Sequence, residues 1–183
     1  SFPHVYATLF SGFYLALFLM LAALIIRGVS FEFRSKSPNL LWRKGFDYCI
    51  FFGSLIPALL WGVTVGNLIQ GTPIDESMTY VGTFFDLLSP YTLLCGVAFV
   101  LVFTYHGGLF TSIKTSGPIS ERARAASLVV GVPTAVGALA LVGATYAYSD
   151  LFDSTLGIVA FAAAIVLFLV SWGAARTRNT KMG

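Results

Sequence analysis

Five stretches of about twenty mostly apolar residues, separated by short polar segments, decide what this chain can become. About 20 helical residues cross the hydrocarbon core of a bilayer. Spans are expected at 6–26, 48–68, 91–113, 125–146 and 156–175. None of them alternates apolar with polar residues, which excludes a transmembrane barrel. Backbone groups in lipid must satisfy each other, so the stretches are expected to be helices. The charged fraction is 10%, against about 25% in soluble domains, and a water-soluble fold of this size is excluded. The fold class is all-α, a polytopic transmembrane helix bundle. No linker, low-complexity tract or repeat divides it, so a single transmembrane domain over 1–183 is expected.

Charge sets an orientation. The 11 Lys and Arg residues occupy three segments. Arg27, Arg34, Lys36, Arg43 and Lys44 fall between the first two spans; Lys114, Arg122 and Arg124 fall between the third and fourth; Arg176, Arg178 and Lys181 follow the last. With five spans these segments share one side, and the positive-inside rule makes that side cytoplasmic. The other side carries Asp75, Glu76, Asp86, Asp150 and Asp153 without a single Lys or Arg. The chain is therefore expected to start outside and end in the cytoplasm. Ser1 is not an initiator Met and no basic region precedes the first span, so a signal peptide is not expected; the sequence reads as part of a longer chain.

Few residues inside the spans carry chemistry. Pro57 and Pro133 interrupt the helix ladder of spans two and four. Gly62 and Gly66 form a GxxxG pair, and Gly131, Gly137 and Gly143 punctuate span four; small residues let helices approach closely, so tight intramolecular packing is expected. Cys49 and Cys95 lie in apolar blocks and are expected to be buried thiols. His106, near the inner end of span three, is of a type that ligates haem, but His4 is at the opposite face, and Met20 and Met78 are poorly placed to join it. A hydrogen-bonded interfacial histidine is expected instead. Asp47, one turn from Arg43 and Lys44, is expected to pair with them, and Asn67 to cap its helix or bond a neighbour. No deep ionisable group, the usual mark of a proton or ion path, is identified. GxxxxGK[ST], HExxH, CxxC and GxGxxG are all absent.

The stretch FSGFYLALFLMLAALIIRGVSFEFRSK, 10–36, combines an FSxFY helix start, a helix ending in Arg27, and the run Phe31, Glu32, Phe33, Arg34. Trp42, Arg43 and Asp47 follow, then Gly53, Ser54 and Pro57, GNLIQG at 66–71, LSPYTLLCG at 88–96 and KTSGPI at 114–119. In this order the motifs resemble subunit II of the cytochrome bd quinol oxidases up to about Ile119; beyond it the likeness is in hydropathy. The resemblance implies a bacterial cytoplasmic-membrane complex that oxidises quinol and reduces dioxygen to water. It further implies that b- and d-type haems and the quinol site belong to a partner, subunit I, and that this subunit ligates no haem. Small single-helix subunits and membrane lipid are further partners it implies; nucleic acid is not. Family members normally carry two more helices before this region, with a WDGN-type motif, and two more after it, so helices three to seven of nine are expected here.

No catalytic, cofactor-binding or metal-ligating residue is assigned. Arg27, Glu32, Arg34, Trp42, Asp47 and Asn67 are expected to be structural. The Arg27–Asp47 loop is expected to be an ordered hairpin, with Glu32 among Arg27, Arg34 and Lys36. An extended segment there would place Phe31 and Phe33 on one side. A secondary transporter is the alternative function, since inverted repeats of five helices occur in that class; a small b-type cytochrome lacks a second axial ligand.

Overall fold

In the computed structural model, residues 10–71, 82–148 and 155–177 are described. They form five long helices: α1 (Tyr14–Phe33), α2 (Leu40–Gln70), α3 (Pro90–Lys114), α4 (Pro118–Tyr148) and α5 (Thr155–Thr177). A 3-10 turn, Phe84–Leu87, precedes α3. There is no strand among the described residues. All five helices are long and apolar enough to cross a membrane, and the all-α polytopic class is confirmed. His4, Asp75, Glu76, Met78, Asp150, Asp153, Arg178 and Lys181 lie outside the described residues, as do the first positions of span one.

The helices outrun the expected spans. α2 begins at Leu40 rather than 48, and α4 runs over Pro118–Tyr148 rather than 125–146. α1 continues to Phe33, well past 26. Apolar residues mark the hydrocarbon crossing, whereas the helix extends until its hydrogen bonding is capped. At the start of α2, the Asn39 side chain accepts from the Leu41 backbone N–H at 2.9 Å, as a helix-capping residue should. Gly71, with φ of +88°, ends the same helix. α3 starts with Ser89 accepting from the Thr92 N–H and with Pro90 as its first residue, a position that suits a residue lacking an N–H.

The chain divides into two compact units between Gly96 and Val97, so α3 contributes to both. In the first, Phe13, Ala16, Met20, Ala23 and Ser30 are buried along one stripe of α1. Their spacing of three, four and seven residues is that of a helix seam, and α1 packs along α2. α2 in turn meets the start of α3 through its glycines. A methyl group at Gly62 would lie 2.5 Å from the Cys95 carbonyl oxygen and 2.6 Å from Gly96 Cα, and one at Gly66 2.9 Å from Cys95 Sγ. The GxxxG pair thus packs within the chain, with Cys95 buried against it and Cys49 half-buried, both free thiols.

In the second unit Gly131 of α4 faces Trp172 of α5 and Tyr105 of α3. The Tyr105 hydroxyl and Ser171 hydroxyl share a 2.9 Å hydrogen bond. Gly143 has no neighbour within 4 Å, so the small-residue pattern of span four is used for packing over only part of its length.

Both units are apolar outside and small or polar within. Val129, Leu139 and Leu167 are exposed, while Ser30, Asn67, Thr92, Ser127, Thr134 and Thr145 are buried. Lipid gives large apolar side chains no reason to turn inward, so close packing of small residues holds such helices together. The buried hydroxyls need no distant partner. Ser30, Ser127, Thr134 and Thr145 each donate to the carbonyl four residues back, at 2.6–2.9 Å, a local satisfaction open to Ser and Thr in helices.

Candidate functional site

The residues singled out in the sequence collect at two places in the first unit, the ends of α2. At the start of α2 lies the turn from α1. Arg34, just past α1, donates from Nε to Asp47 Oδ1 at 2.5 Å and from Nη2 to Oδ2 at 3.3 Å. This side-on, two-point match of guanidinium and carboxylate fixes direction as well as distance. Hydrogen bonding and charge from Asp47 raise the Arg34 pKa further above its ordinary value. The Trp42 indole N–H donates to the Phe33 carbonyl at 2.9 Å, and its ring meets Phe46 edge-on at 4.9 Å. Arg43 Nε donates to the Ser37 carbonyl at 3.3 Å. The turn is therefore an ordered hairpin.

Its partners differ from those expected. Asp47 pairs with Arg34 across the turn, and not with Arg43 or Lys44. The reason is geometric: Arg43 is drawn back to the Ser37 carbonyl, while the end of α1 brings Arg34 alongside the second turn of α2. Glu32 pairs with Lys36 alone, at 3.3 Å, both exposed. Phe31 and Phe33 lie on a helix rather than an extended segment, where residues two apart do not share a side, and so they do not flank Glu32 on one face.

Arg27 takes no part in these pairs. It lies deeper on α1, with its guanidinium 5.7 Å from the Phe31 ring centroid. Its backbone and Cβ are so close to Gly53 that a methyl there would come within 2.8 Å of Arg27 Cβ. Its Nε is buried without a hydrogen-bond partner. Buried donors are seldom left unsatisfied, so this group stands out among the described residues.

The far end of α2 holds Asn67, 20 residues from Asp47, a separation of about 30 Å along a helix. Its amide donates to Val63 O and to Leu87 O, both at 2.8 Å, so it bonds a neighbouring segment. The Leu87 carbonyl also accepts from the Thr92 hydroxyl at 2.7 Å, and Ser89 bonds the Gln70 side chain at 3.0 Å. Together these tie the end of α2, the 3-10 turn and the start of α3. In the same turn the Thr83 backbone N–H donates to Asp86 at 2.6 Å and its hydroxyl at 2.9 Å, which lowers the Asp86 pKa. Leu87, Ser89, Thr92 and Gln70 were not among the expected site residues. The Ser-Pro step at 89–90 was the available signal, since it marks a helix start whose cap must find donors.

His106 is exposed on α3. Among the described residues no group of three or more His, Cys, Asp or Glu could hold a metal ion. Neither end of α2 thus presents a ligand cage or a nucleophile with its base; what the residues build is a pair of clamps on a membrane-type helical scaffold.

An all-α polytopic membrane protein is the class these features define. The family whose profile matches is described as cytochrome bd terminal oxidase subunit II, and the match covers residues 1–183. The chain belongs to this family. It is 43% identical over 140 residues to the probable cytochrome oxidase subunit 2 of Haemophilus influenzae and to the cytochrome bd-I ubiquinol oxidase subunit 2 of Escherichia coli K12. Each alignment takes in 74% of this chain and 37% of the relative. The cytochrome bd ubiquinol oxidase subunit 2 of Bacillus subtilis is 36% identical over the whole chain and 54% of its own length. The chain thus spans between about a third and a half of the relatives it matches.

Proposed function

We propose that this chain is the non-haem-ligating membrane subunit of a bacterial cytochrome bd-type terminal oxidase, which oxidises quinol and reduces dioxygen to water. The observation that carries the reading is membership of the subunit II family along the whole sequence, on helices long enough to cross a bilayer. In this reading the b- and d-type haems and the quinol site belong to subunit I, and subunit II is its packing partner in the bacterial cytoplasmic membrane. Small single-helix subunits complete the assembly. The five spans act as one transmembrane domain, with the α1–α2 and α3–α4 connections cytoplasmic. Arg34, Trp42, Asp47 and Glu32 serve as structure in the first connection, Asn67 at the opposite end of α2, and Arg27 within the membrane.

Visible absorption spectra test this assignment. The purified chain alone should show no haem bands, and the assembled oxidase should show them. His106→Ala should leave the haem content of the assembled complex unchanged. Loss of one haem from a complex that still assembles would overturn the non-ligating role.

A further inference from the structure

Arg27 is a cation at membrane depth that no carboxylate answers among the described residues. Its Nε is buried and has no hydrogen-bond partner. The carboxylates described in the first unit are engaged elsewhere: Glu32 with Lys36, Asp47 with Arg34, and Asp86 with the Thr83 N–H and hydroxyl. Asp75 and Glu76 come after Gly71, which lies about 27 Å along α2 from the Gly53 that Arg27 touches.

The local geometry also keeps this charge from escaping to water. Arg27 precedes the end of α1 at Phe33 by about 9 Å of helix. Cα–Cβ bonds tilt toward a helix N-terminus, so the Arg27 stem sets out away from the nearby turn and toward the apolar stretch. Its Cα and Cβ are pressed against Gly53, where an added methyl would meet Arg27 Cβ at 2.8 Å and the Ala23 carbonyl oxygen at 2.8 Å. The Phe31 ring centroid lies 5.7 Å from the guanidinium; an aromatic face attracts a cation without neutralising it. A guanidinium does not deprotonate in a protein, so the charge persists, and ionisable groups in membrane helices pair inside the bundle. The planar fork matches a carboxylate at two points, as Arg34 and Asp47 do in this same chain.

We propose that Arg27 is one half of an intramembrane ion pair whose carboxylate is carried by a transmembrane helix other than these five. The pair fixes where that helix docks on the α1–α2 seam. The proposal requires only that α1 lies in a membrane, and it stands apart from the haem assignment. The test uses the intact protein with its co-purifying subunits and dicyclohexylcarbodiimide, an apolar reagent that adds to protonated carboxyl groups. Loss of an opposite charge raises a carboxyl pKa by about 1–3 units, so its protonated fraction rises about tenfold or more. Arg27→Met should therefore increase labelling of one Asp or Glu by about tenfold or more, and peptide mass spectrometry identifies the residue and the polypeptide that carries it. Arg43→Met, which alters an exposed cation of the turn, should leave the labelling at its wild-type level. In Arg27→Lys the activated carboxyl should instead be captured by the new amine, forming an amide with release of dicyclohexylurea and joining α1 to the docked helix. If Arg27→Met does not assemble, the charge-retaining Arg27→Lys carries the test alone, and an assembled variant without that cross-link refutes the pair. An unchanged pattern in Arg27→Met, or the same new label in Arg43→Met, would overturn the proposal. New labelling or cross-linking of Glu32 or Asp47 would do so too, by placing the counter-charge within the hairpin. Loss of a bound phospholipid from Arg27→Met, without new labelling, would assign the charge to a lipid phosphate instead.

Discussion

Gly62 shows how little room one residue can leave. A methyl group there would meet the Cys95 carbonyl oxygen and Gly96 Cα, both backbone atoms that cannot swing aside. Gly62→Ala is expected to destabilise the first unit by about 1–3 kcal/mol, the usual range for overpacking. Gly28→Ala is the matching control, since nothing lies within 4 Å of that position; there the lower backbone entropy of alanine should stabilise by about 0.5–1 kcal/mol. Thermal unfolding of the two variants in detergent should move in opposite directions, and a common direction would refute the packing account. The GxxxG spacing made Gly62 and Gly66 legible in the sequence as close-contact positions. Their partner was not legible, because Cys95 lies about thirty residues on and no spacing rule connects them. The same holds for Asn67: the sequence offered a cap or a neighbour, and only the fold brings the Leu87 carbonyl to its amide.

At the scale of elements, the α1–α2 turn depends on one pairing more than another. Glu32 and Lys36 are neighbours on a single exposed helical turn, whereas Arg34 and Asp47 join two helices. Arg34→Gln should therefore speed limited proteolysis between Lys36 and Lys44, and Glu32→Gln should leave the cleavage rate at its wild-type value. Equal acceleration by both would restore the wider network expected from the sequence. That network failed because α1 continues through Phe33: a helical backbone sends Glu32 away from Arg34, and one-dimensional charge clustering cannot reveal it. The 3-10 turn before α3 responds to pH. The Thr83 N–H and hydroxyl stabilise the Asp86 carboxylate, so its folded pKa lies below the ordinary carboxylate value. The contribution is thus fully present above the unfolded pKa and lost as pH falls through the lowered folded value. Amide exchange at 83–88, corrected for intrinsic rates, should stay slow at pH 5–7 and accelerate only on strong acidification, a change that Asp86→Asn should abolish by making exchange fast throughout.

For the whole molecule, the number and type of long elements were legible because bilayer thickness imposes a length that the sequence must meet. The helix ends were less so, since caps and polar extensions lie outside the apolar count. The orientation proposed from the one-sided Lys and Arg residues is tested by cysteine labelling: Ser35→Cys should react only from the cytoplasmic side and Ser77→Cys only from outside, with reaction of both from outside sinking the assignment. The two native thiols add a different kind of information. Cys95 is 1% exposed and flush against Gly66, while Cys49 is only half-buried. An alkylating reagent therefore consumes Cys49 on its own timescale but must wait at Cys95 for α2 and α3 to part. The chain carries an internal stopwatch, in which the lag between the two reactions times the spontaneous separation of these two helices.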